Sequence, residues 1–453
     1  MSATVQTEPP RHGPSVHRMI ARAALSVGGA GLLVKAVATL KEVTVAGVFG
    51  RSDAMDAFLA AALIPGLLVN LISESMNQAL VPTLVRVREQ QGRERAQELL
   101  SSSMLGMCLL LVVATLAMAM GARGFFPLIA SHFAPAKLTL AIGLFRGLLP
   151  VVLLAGVAST CTAVLSTQNC FGLAAMAPAV ISASIIAGAL TLSGRLGIWA
   201  LVWATVGGSL LHMALVAGMM EARGYRLRLR WHGMTEPVRE VARQYGPVLL
   251  SGVVASGGLL VDQSMAAMLP AGSVSTLAYA NRFVSVALAL LGGAVSTAIV
   301  PYFSTMIAER DWAGCRHTLR TWVWLTAAVS ACAATALIAG SHLLVRAAFQ
   351  RGAFSVRDTA AVAPVLAMYA LQIPFFVSSR VYYRFLVAMR RTDLVFYCGA
   401  INLVLDVVLN VILMRRFGVA GIALATSLWT VSTFLFLGFW TRRLLARTGE
   451  VNA

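Results

Sequence analysis

The sequence predicts an all-α integral membrane protein of about twelve transmembrane helices, arranged as two parallel six-helix repeats around a central cavity. Three observations predict this fold class: an apolar composition, long uninterrupted apolar segments, and two internal matches at nearly the same offset. Of the 453 residues, 58% are hydrophobic and 12% are charged. This composition is too apolar for a soluble domain of that size, so the chain is predicted to lie in a membrane.

Twelve apolar segments follow one another along the chain, each long enough to cross a hydrocarbon core about 30 Å thick. A transmembrane β-barrel would instead show short segments of alternating polarity. The predicted segments are 21–47, 54–82, 97–120, 139–166, 172–193, 196–221, 242–268, 274–306, 320–345, 360–388, 394–414 and 418–440.

Two pairs of matching segments indicate an internal repeat. Residues 79–82 (ALVP), at the end of the second segment, match residues 298–301 (AIVP), at the end of the eighth, at an offset of 219 residues. The stretch GRLGIWALVWAT matches RRFGVAGIALAT at an offset of 221 residues. Six is an even number, so both repeats enter the membrane from the same side, as in transporters that rock two halves around a central site.

The repeats define the predicted domain organisation. We expect an N-terminal lobe over 21–221 and a C-terminal lobe over 242–441, joined by a basic cytoplasmic linker over 222–241. Residues 1–20 lack the apolar core and cleavage site of a signal peptide, so they are interpreted as a disordered cytoplasmic tail, and 442–453 as a second tail.

The net charge of +18 follows from arginines grouped on one predicted side of the membrane. By the positive-inside rule this side is cytoplasmic and holds both termini, and the placement argues against nucleic-acid binding. The six cysteines are scattered without C-x-x-C spacing, which predicts neither disulfides nor a zinc site. The grouped arginines are Arg11, Arg18, Arg22, Arg86, Arg88, Arg93, Arg95, Arg223, Arg226, Arg228, Arg230, Arg239, Arg243, Arg442, Arg443 and Arg447.

Charged residues inside the apolar segments indicate the lining of the cavity, because charges are costly in lipid. Basic side chains that face one cavity suit a phosphate-bearing cargo. The candidate substrate-binding residues are Lys35, Lys41, Glu42, Asp56, Glu74 and Arg282.

Simpler structural roles exist for all of these residues except Lys35, which lies far from either end of its segment. Lys41 and Glu42 stand near a helix end, where a lysine can reach the interface. Asp56 suits a helix entry, where the helix dipole favours an acid. Glu74 and Arg282 suit a structural ion pair between the lobes.

A second polar group suggests a cation site. Asn402 and Asp406 are one helical turn apart, so their oxygens project from one face, and Asp262 in the seventh segment is placed to meet them. Hard cations take such oxygen ligands. The alternative is that Asp262 and Asp406 neutralise Arg380 or Arg384.

Three motifs resemble those of the MurJ (MviN) lipid II flippase family. The first is VFGRSDAMDAFLAAALIPGLLVNLISESMNQALVP, in which the family pattern falls on Phe49, Gly50, Asp56, Ala57, Phe58, Pro65, Glu74 and residues 79–82. AYANRFVSVALALLGGAVSTAIVP is similar to the family's Y-A-D-R segment, and FQRGAFSVRDT is similar to its F-x-R-G-A-F-T-x-x-D-T loop. The similarity covers essentially the whole chain.

The resemblance implies a bacterial inner-membrane transporter of the multidrug/oligosaccharidyl-lipid/polysaccharide exporter superfamily. Such a protein moves a polyprenyl-diphosphate-linked glycan from the cytoplasmic to the outer leaflet by alternating access. The family's charged helix 1 residues fall on Lys35, Lys41 and Glu42, and its helix 8 arginine falls on Arg282. The resemblance also implies a sodium site on the helices of Asp262 and Asp406, with Thr426 as a further ligand.

The sequence departs from the family pattern at several positions. Val69 and Asn70 stand where the family has arginines, and Asn281 and Ser285 stand where it has acids. The family has fourteen helices, whereas twelve segments are predicted here.

More than one function is compatible with these features. The cargo could also be a different undecaprenyl-diphosphate-linked unit, of an exopolysaccharide or O-antigen. A cation-coupled multidrug exporter and a non-transporting partner of polysaccharide assembly are two further candidates. No nucleophile with a base, phosphate loop or catalytic metal motif is found, so we expect a transporter and not an enzyme. We further expect a monomer in the bilayer, with no cofactor except a coupling Na⁺.

Overall fold

The computed structural model describes residues 14–130, 132–168 and 171–450, which are almost entirely helical. The N-terminal lobe contains α1 (Pro14–Phe49), α2 (Asp53–Ile129), α3 (Pro135–Thr167), α4 (Phe171–Met176), α5 (Ala179–Thr191), α6 (Ser193–Leu196) and α7 (Trp199–Ala222). The C-terminal lobe contains α8 (Glu236–Ala255), α9 (Gly257–Ala267), α10 (Ser273–Ala308), α11 (Trp312–Ala339), α12 (Ser341–Phe349), α13 (Val356–Ala370), α14 (Ile373–Ala388), α15 (Thr392–Phe417) and α16 (Val419–Glu450).

The helices match the predicted count of about twelve crossings. Nine stretches of the described residues are long and apolar enough to span a membrane. One of them, Asp53–Pro127, is 75 residues long, enough for two crossings. Helix α1 and the pair α8–α9 account for the other two predicted segments. Residues 1–13 of the predicted N-terminal tail lie outside the described residues, and α1 begins at Pro14.

Helix α2 contains the second and third predicted segments in one element. Its backbone leaves helical geometry at Gly92, which has φ 87° and ψ 178°, a conformation that glycine adopts without steric cost. The sequence predicted that the second segment ends at residue 82, whereas the helix continues beyond Pro82 to this glycine. The polar stretch between them forms helix readily, and hydropathy alone marks only the part that crosses lipid.

The two lobes repeat local geometry as well as sequence. Gly197 has φ 54° and ψ −134°, and its repeat partner Gly418 has φ 57° and ψ −133°. Thr205 Oγ1 donates to Leu201 O at 2.6 Å, and the matching Thr426 Oγ1 lies 3.1 Å from Ile422 O. The internal repeat therefore extends to backbone conformation and helix contacts.

Close packing within each lobe depends on small and aromatic side chains. Helices α5 and α7 approach so closely that a Cβ placed on Gly188 would lie 2.5 Å from Ala204 Cβ. In the C-terminal lobe, Phe303 and Phe385 meet edge to face with ring centroids 5.3 Å apart. Such contacts matter because lipid tails are as apolar as the helices, so van der Waals packing supplies much of the association energy.

The linker between the lobes runs extended along the first turns after Gly92. The side-chain amide of Gln97 forms two hydrogen bonds with the linker backbone at Arg226. Its Nε2 donates to Arg226 O at 2.8 Å, and its Oε1 accepts from Arg226 N at 3.0 Å. His232 N donates to Ser102 Oγ at 3.1 Å. The linker is thus held on the N-terminal lobe until α8 begins at Glu236.

Candidate functional site

The two lobes meet beside the linker, where Arg86 of α2 pairs with Glu240 of α8, and again at the end of the molecule away from the linker, called here the closed end. It consists of the turns between α1 and α2, α9 and α10, and α12 and α13. Ala353 N donates to Gly47 O at 2.7 Å, and Tyr279 Oη donates to Gly50 O at 3.0 Å. Backbone and side chain of the C-terminal lobe therefore bind directly to the end of α1.

Glycines allow this contact. Gly50 has φ 56° and Gly352 has φ 58°, both in the left-handed region that favours glycine. A Cβ on Gly50 would lie 2.6 Å from Ala353 O, and one on Gly352 would lie 2.2 Å from Gly47 O. These two glycines belong to the F-G and R-G pairs of the sequence motifs, and they allow the backbones of the two lobes to approach each other.

Asp56 is the central side chain of the closed end. It is 1% exposed, and its carboxylate accepts from Gly272 N at 2.7 Å and from Ser275 N at 2.8 Å. Lys137 Nζ donates to it at 3.2 Å. Because α10 begins at Ser273, an acid of one lobe satisfies the free N–H groups at the helix start of the other.

This position differs from the one predicted for Asp56. The structure does not bring it together with Lys35 or Arg282, since its oxygens are already occupied by backbone donors and a lysine. The acid does bind a helix N-terminus, but that of α10, whereas its own helix is capped by Ser52. A neighbouring contact joins Arg51 Nη1 to Asp358 Oδ1 at 3.3 Å, where Asp358 also forms the capping box of α13 with Ser355.

Four of the predicted substrate-binding residues line one cavity of about 730 Å³ between α1, α10 and α11, called here the charged cavity. Glu42 Oε1 accepts from Lys41 Nζ at 2.8 Å and from Arg282 Nη2 at 3.0 Å. Lys35 lies seven residues before Glu42, on the same face of α1, and is exposed in this cavity. The side chain of Glu74 lies outside the part of the chain that the structure describes.

The charged cavity keeps an excess of positive charge, because three basic side chains face one carboxylate. The Arg282 side chain is 51% exposed although it pairs with Glu42, so its guanidinium remains open to a ligand. Arg282 pairs with Glu42, whereas the predicted pairing of Arg282 with Glu74 involves a side chain that lies outside the described residues. The Arg282–Glu42 pair joins α10 to α1 and therefore links the two lobes next to the candidate cargo site.

The predicted cation ligands also come together. Asp262, Asn402, Asp406 and Thr426 all line a cavity of about 750 Å³ in the C-terminal lobe, called here the C-lobe chamber. Thr426 Oγ1 donates to Asp262 Oδ2 at 3.0 Å. Asn410 Nδ2 donates to Asp262 Oδ1 at 2.8 Å and to Asp406 Oδ1 at 3.1 Å, so it bridges the two acids.

Asn410 is absent from the predicted ligand set. The signal was present in the sequence as a run of Asn402, Asp406 and Asn410 at successive spacings of four residues, which places all three on one face of α15. The sequence prediction used only the first two of them.

The oxygens of this group fit a cation. Asn402 Oδ1, Asp406 Oδ2 and Asn410 Oδ1 are buried and have no hydrogen-bond partner, and buried polar atoms are normally paired. In the described residues neither acid forms an ion pair with an arginine; Arg380 lies on the Phe376 ring at 4.5 Å and Arg384 near the Tyr383 ring at 5.8 Å. The alternative in which arginines neutralise the acids is therefore not supported.

The N-terminal lobe has a corresponding cavity of about 540 Å³ between α2, α3, α5 and α7, called here the N-lobe chamber. Thr205, the repeat partner of Thr426, lies in its wall. Of the described residues that line it, His212 is the only ionisable one. The two chambers thus share a position in the fold but differ in chemistry.

Comparison with known proteins agrees with this architecture. The sequence profile described as lipid II flippase MurJ matches residues 45–450. The chain belongs to the MurJ family. It is 26% identical over 437 residues to the probable lipid II flippase MurJ of Synechocystis, covering 93% of this chain and 81% of that one. It is 29% identical over 363 residues to the lipid II flippase MurJ of Burkholderia cenocepacia, covering 77% and 70%.

Solved structures share the fold. A lipid II flippase MurJ in an inward closed conformation aligns with TM-score 0.79 at 23% identity, covering 92% of this chain and 87% of that one. An inward-facing MATE family transporter of the MOP superfamily aligns with TM-score 0.78 at 13% identity, covering 95% and 100%. As a MurJ family member, the chain is a multi-pass bacterial inner-membrane transporter of lipid-linked precursors and not an enzyme.

Proposed function

We propose that this protein moves a polyprenyl-diphosphate-linked glycan, with lipid II as the first candidate, from the cytoplasmic to the outer leaflet. The observation that carries the proposal is the charged cavity, where Lys35, Lys41 and Arg282 surround the single carboxylate of Glu42. A diphosphate offers several anionic oxygens, which bind best to ionised donors. Arginine contributes a planar pair of donors, and lysine contributes a compact charge.

Exchange of partners at Glu42 gives a route from binding to movement. Without cargo, Glu42 binds both Lys41 and Arg282 and thereby joins α1 to α10. A diphosphate competes with Glu42 for the same donors, so cargo weakens a contact between the lobes. A ligand shifts a conformational equilibrium only through such a difference in interaction between the states.

The grouped arginines support an orientation with both termini in the cytoplasm. With both termini in the cytoplasm, the closed end faces the periplasm, and its contacts at Asp56 block the outward path. The cargo cavity is then filled from the cytoplasmic leaflet, and release requires separation of Asp56 from α10. We propose that one chain suffices for this cycle, because the charged cavity is formed within a single chain.

A bound cation, with Na⁺ as the first candidate, would be held by Asp262, Asn402, Asp406, Asn410 and Thr426. It would supply positive charge between two buried carboxylates. Its binding would thereby couple an ion gradient to the conformation of the C-terminal lobe. The unpaired oxygens of this group support the proposal.

Sodium is expected to raise the thermal stability of the purified protein more than potassium does. A ligand that binds only the folded state adds about 2.7 kcal/mol when present at 100 times its Kd, which gives a clear shift in Tm. Asp406→Asn should lose most of this sodium-specific shift, because it removes a charge with little change in shape. Asp393→Asn is the matched control, since Asp393 lies on the same helix but is exposed and pairs with Arg391. Equal shifts with both ions would show that the acids form a structural cluster only.

Transport itself is tested in proteoliposomes that contain the purified protein and a fluorescent lipid. We expect fluorescent lipid II in the inner leaflet to become accessible to a membrane-impermeant quencher much faster than in protein-free vesicles. A fluorescent phosphatidylcholine should not be moved. A lipid with the same undecaprenyl diphosphate but a neutral exopolysaccharide unit tests the alternative cargo. If neither diphosphate-linked lipid moves, with or without a sodium gradient, the proposed function is wrong.

A further inference from the structure

The C-lobe chamber contains more polar and aromatic groups than a cation uses. Beyond the ligand set, its walls carry the guanidinium of Arg380, the amides of Asn281 and Gln372, and the rings of Tyr383 and Trp429. Its volume of about 750 Å³ lies within the range of pockets that enclose small organic ligands, roughly 300–1,000 Å³. A dehydrated cation fills only a small part of this space.

Two donors in the chamber lack acceptors. Trp429 Nε1 is buried and has no hydrogen-bond partner. In the described part of the chain, no carboxylate or carbonyl accepts from Arg380, which rests on the ring of Phe376. A buried donor without a partner costs free energy, and a charge at membrane depth usually faces a functional cavity. These donors point to a ligand that brings acceptors, at least one of them anionic.

The chamber adjoins the charged cavity around α10. Asn281 lines the C-lobe chamber, whereas the next residue, Arg282, lines the charged cavity. Both spaces border the N-terminal lobe, through α1 at the charged cavity and through Gln78 of α2 at the chamber. A cargo molecule with its diphosphate at Arg282 would reach the chamber by extending its polar head past α10 towards Arg380.

We propose that the C-lobe chamber binds the glycan part of the cargo and that Arg380 binds an acidic group on it. Amides donate to and accept from sugar hydroxyl and N-acetyl groups, and the Trp429 N–H donates to a carbonyl or hydroxyl oxygen. The guanidinium of Arg380 forms paired hydrogen bonds with a carboxylate. The ligand class is a glycan head whose substituents include a free carboxylate, and this inference rests on the proposed function.

The proposal distinguishes the head of the cargo from its diphosphate, so two probes test it. The first is lipid II, and the second is undecaprenyl diphosphate, which has no sugar. We expect Arg380→Gln in the full chain to weaken binding of lipid II about tenfold or more, as expected for loss of a charge-assisted contact. The same variant should bind undecaprenyl diphosphate within about twofold of the unchanged protein, because the diphosphate contacts remain.

Two further variants keep the test independent of folding. Arg380→Lys retains the charge and should recover most of the affinity for lipid II. Trp429→Phe keeps an aromatic ring but removes the N–H, and should weaken lipid II alone. Arg320→Gln is the control, because Arg320 lies exposed on α11 outside both the charged cavity and the chamber.

Each outcome decides the proposal. Selective loss of lipid II binding in Arg380→Gln supports it. Equal weakening of both lipids would place Arg380 at the diphosphate or in the fold, and unchanged lipid II affinity would remove it from the site; either result overturns the proposal while the proposed function stands. If the unchanged protein binds neither lipid, the proposed function fails, and the glycan site fails with it.

Discussion

Replacing Arg282 by alanine is expected to weaken binding of a diphosphate-linked lipid by one to two orders of magnitude. The change removes a charge-assisted donor worth roughly 1.5–3 kcal/mol, at 1.4 kcal/mol for each tenfold change in Kd. Lys35→Ala should cost about tenfold for the same reason. If both side chains bind one diphosphate, the double variant should lose little beyond the worse single variant. The Kd of undecaprenyl diphosphate for the purified protein is measured for the two single variants and the double variant.

The arrangement of α1 explains the expected coupling. Lys35 and Glu42 are seven residues apart on one face, about 10 Å along the helix at 1.5 Å per residue, and Arg282 bonds Glu42 from α10. Long basic side chains cover this distance and converge on one anion. Lys35→Arg should retain affinity, because charge and reach are kept. Arg415→Ala, which removes an exposed arginine at the far end of α15, should change nothing. Additive losses in the cycle would assign Lys35 and Arg282 to separate sites.

Replacing Asp56 by alanine is expected to open the closed end. The variant leaves the N–H groups of Gly272 and Ser275 without their acceptor and Lys137 without a buried partner. Loss of a charged acceptor costs roughly 1.5–3 kcal/mol for each hydrogen bond, and this cost falls on the closed state because Gly272 and Ser275 belong to the other lobe. Lys137 stands in the same lobe as Asp56 and still pairs with Asp53 in both states. The equilibrium should therefore move towards the state in which the lobes are apart at this end.

Thiol labelling measures this opening. In a background without the six native cysteines, Ser275→Cys reports on the contact with α2, because Ser275 is fully buried and its N–H donates to Asp56 Oδ1 in the closed state. Its reaction with a membrane-impermeant reagent should rise manyfold when Asp56→Ala is added. Asp53→Ala is the matched control, since Asp53 also binds Lys137, at 2.6 Å, but its side chain is 64% exposed. Equal labelling with and without Asp56 would mean that other contacts keep the lobes closed.

The sequence located the charged cavity because lipid imposes a simple rule on charges. Lys35, Lys41, Glu42 and Arg282 stand in apolar segments, so a protein-lined cavity was the favourable place for them. The two acids of the cation group followed from the same rule and from helical spacing. The role of a charged side chain inside the fold depends on the residues it pairs with. These partners come from distant segments of the chain, so a local sequence pattern does not reveal them.

Asp56 shows the limit of that reasoning. Its partners are backbone N–H groups of Gly272 and Ser275, and a backbone donor has no side-chain type that a sequence pattern can reveal. A buried acid at a helix entry therefore looked the same whether it bound cargo, its own helix, or another lobe. The predicted segment 54–82 marks the apolar part of α2, and hydropathy does not reveal that the helix continues beyond it to Gly92.

The difference between the two chambers bears on the ancestry of this fold. Thr205 and Thr426 occupy matching positions of the internal repeat, as expected after duplication of a six-helix gene, yet among the described lining residues only the C-lobe chamber carries acids, Asp262 and Asp406. Identical copies would have had identical chambers, so this specialisation arose after the duplication. Because each copy crosses the membrane an even number of times, fusion required no inversion of either half. The present chain is in this respect a heterodimer in one polypeptide, in which the C-terminal half carries the paired acids Asp262 and Asp406.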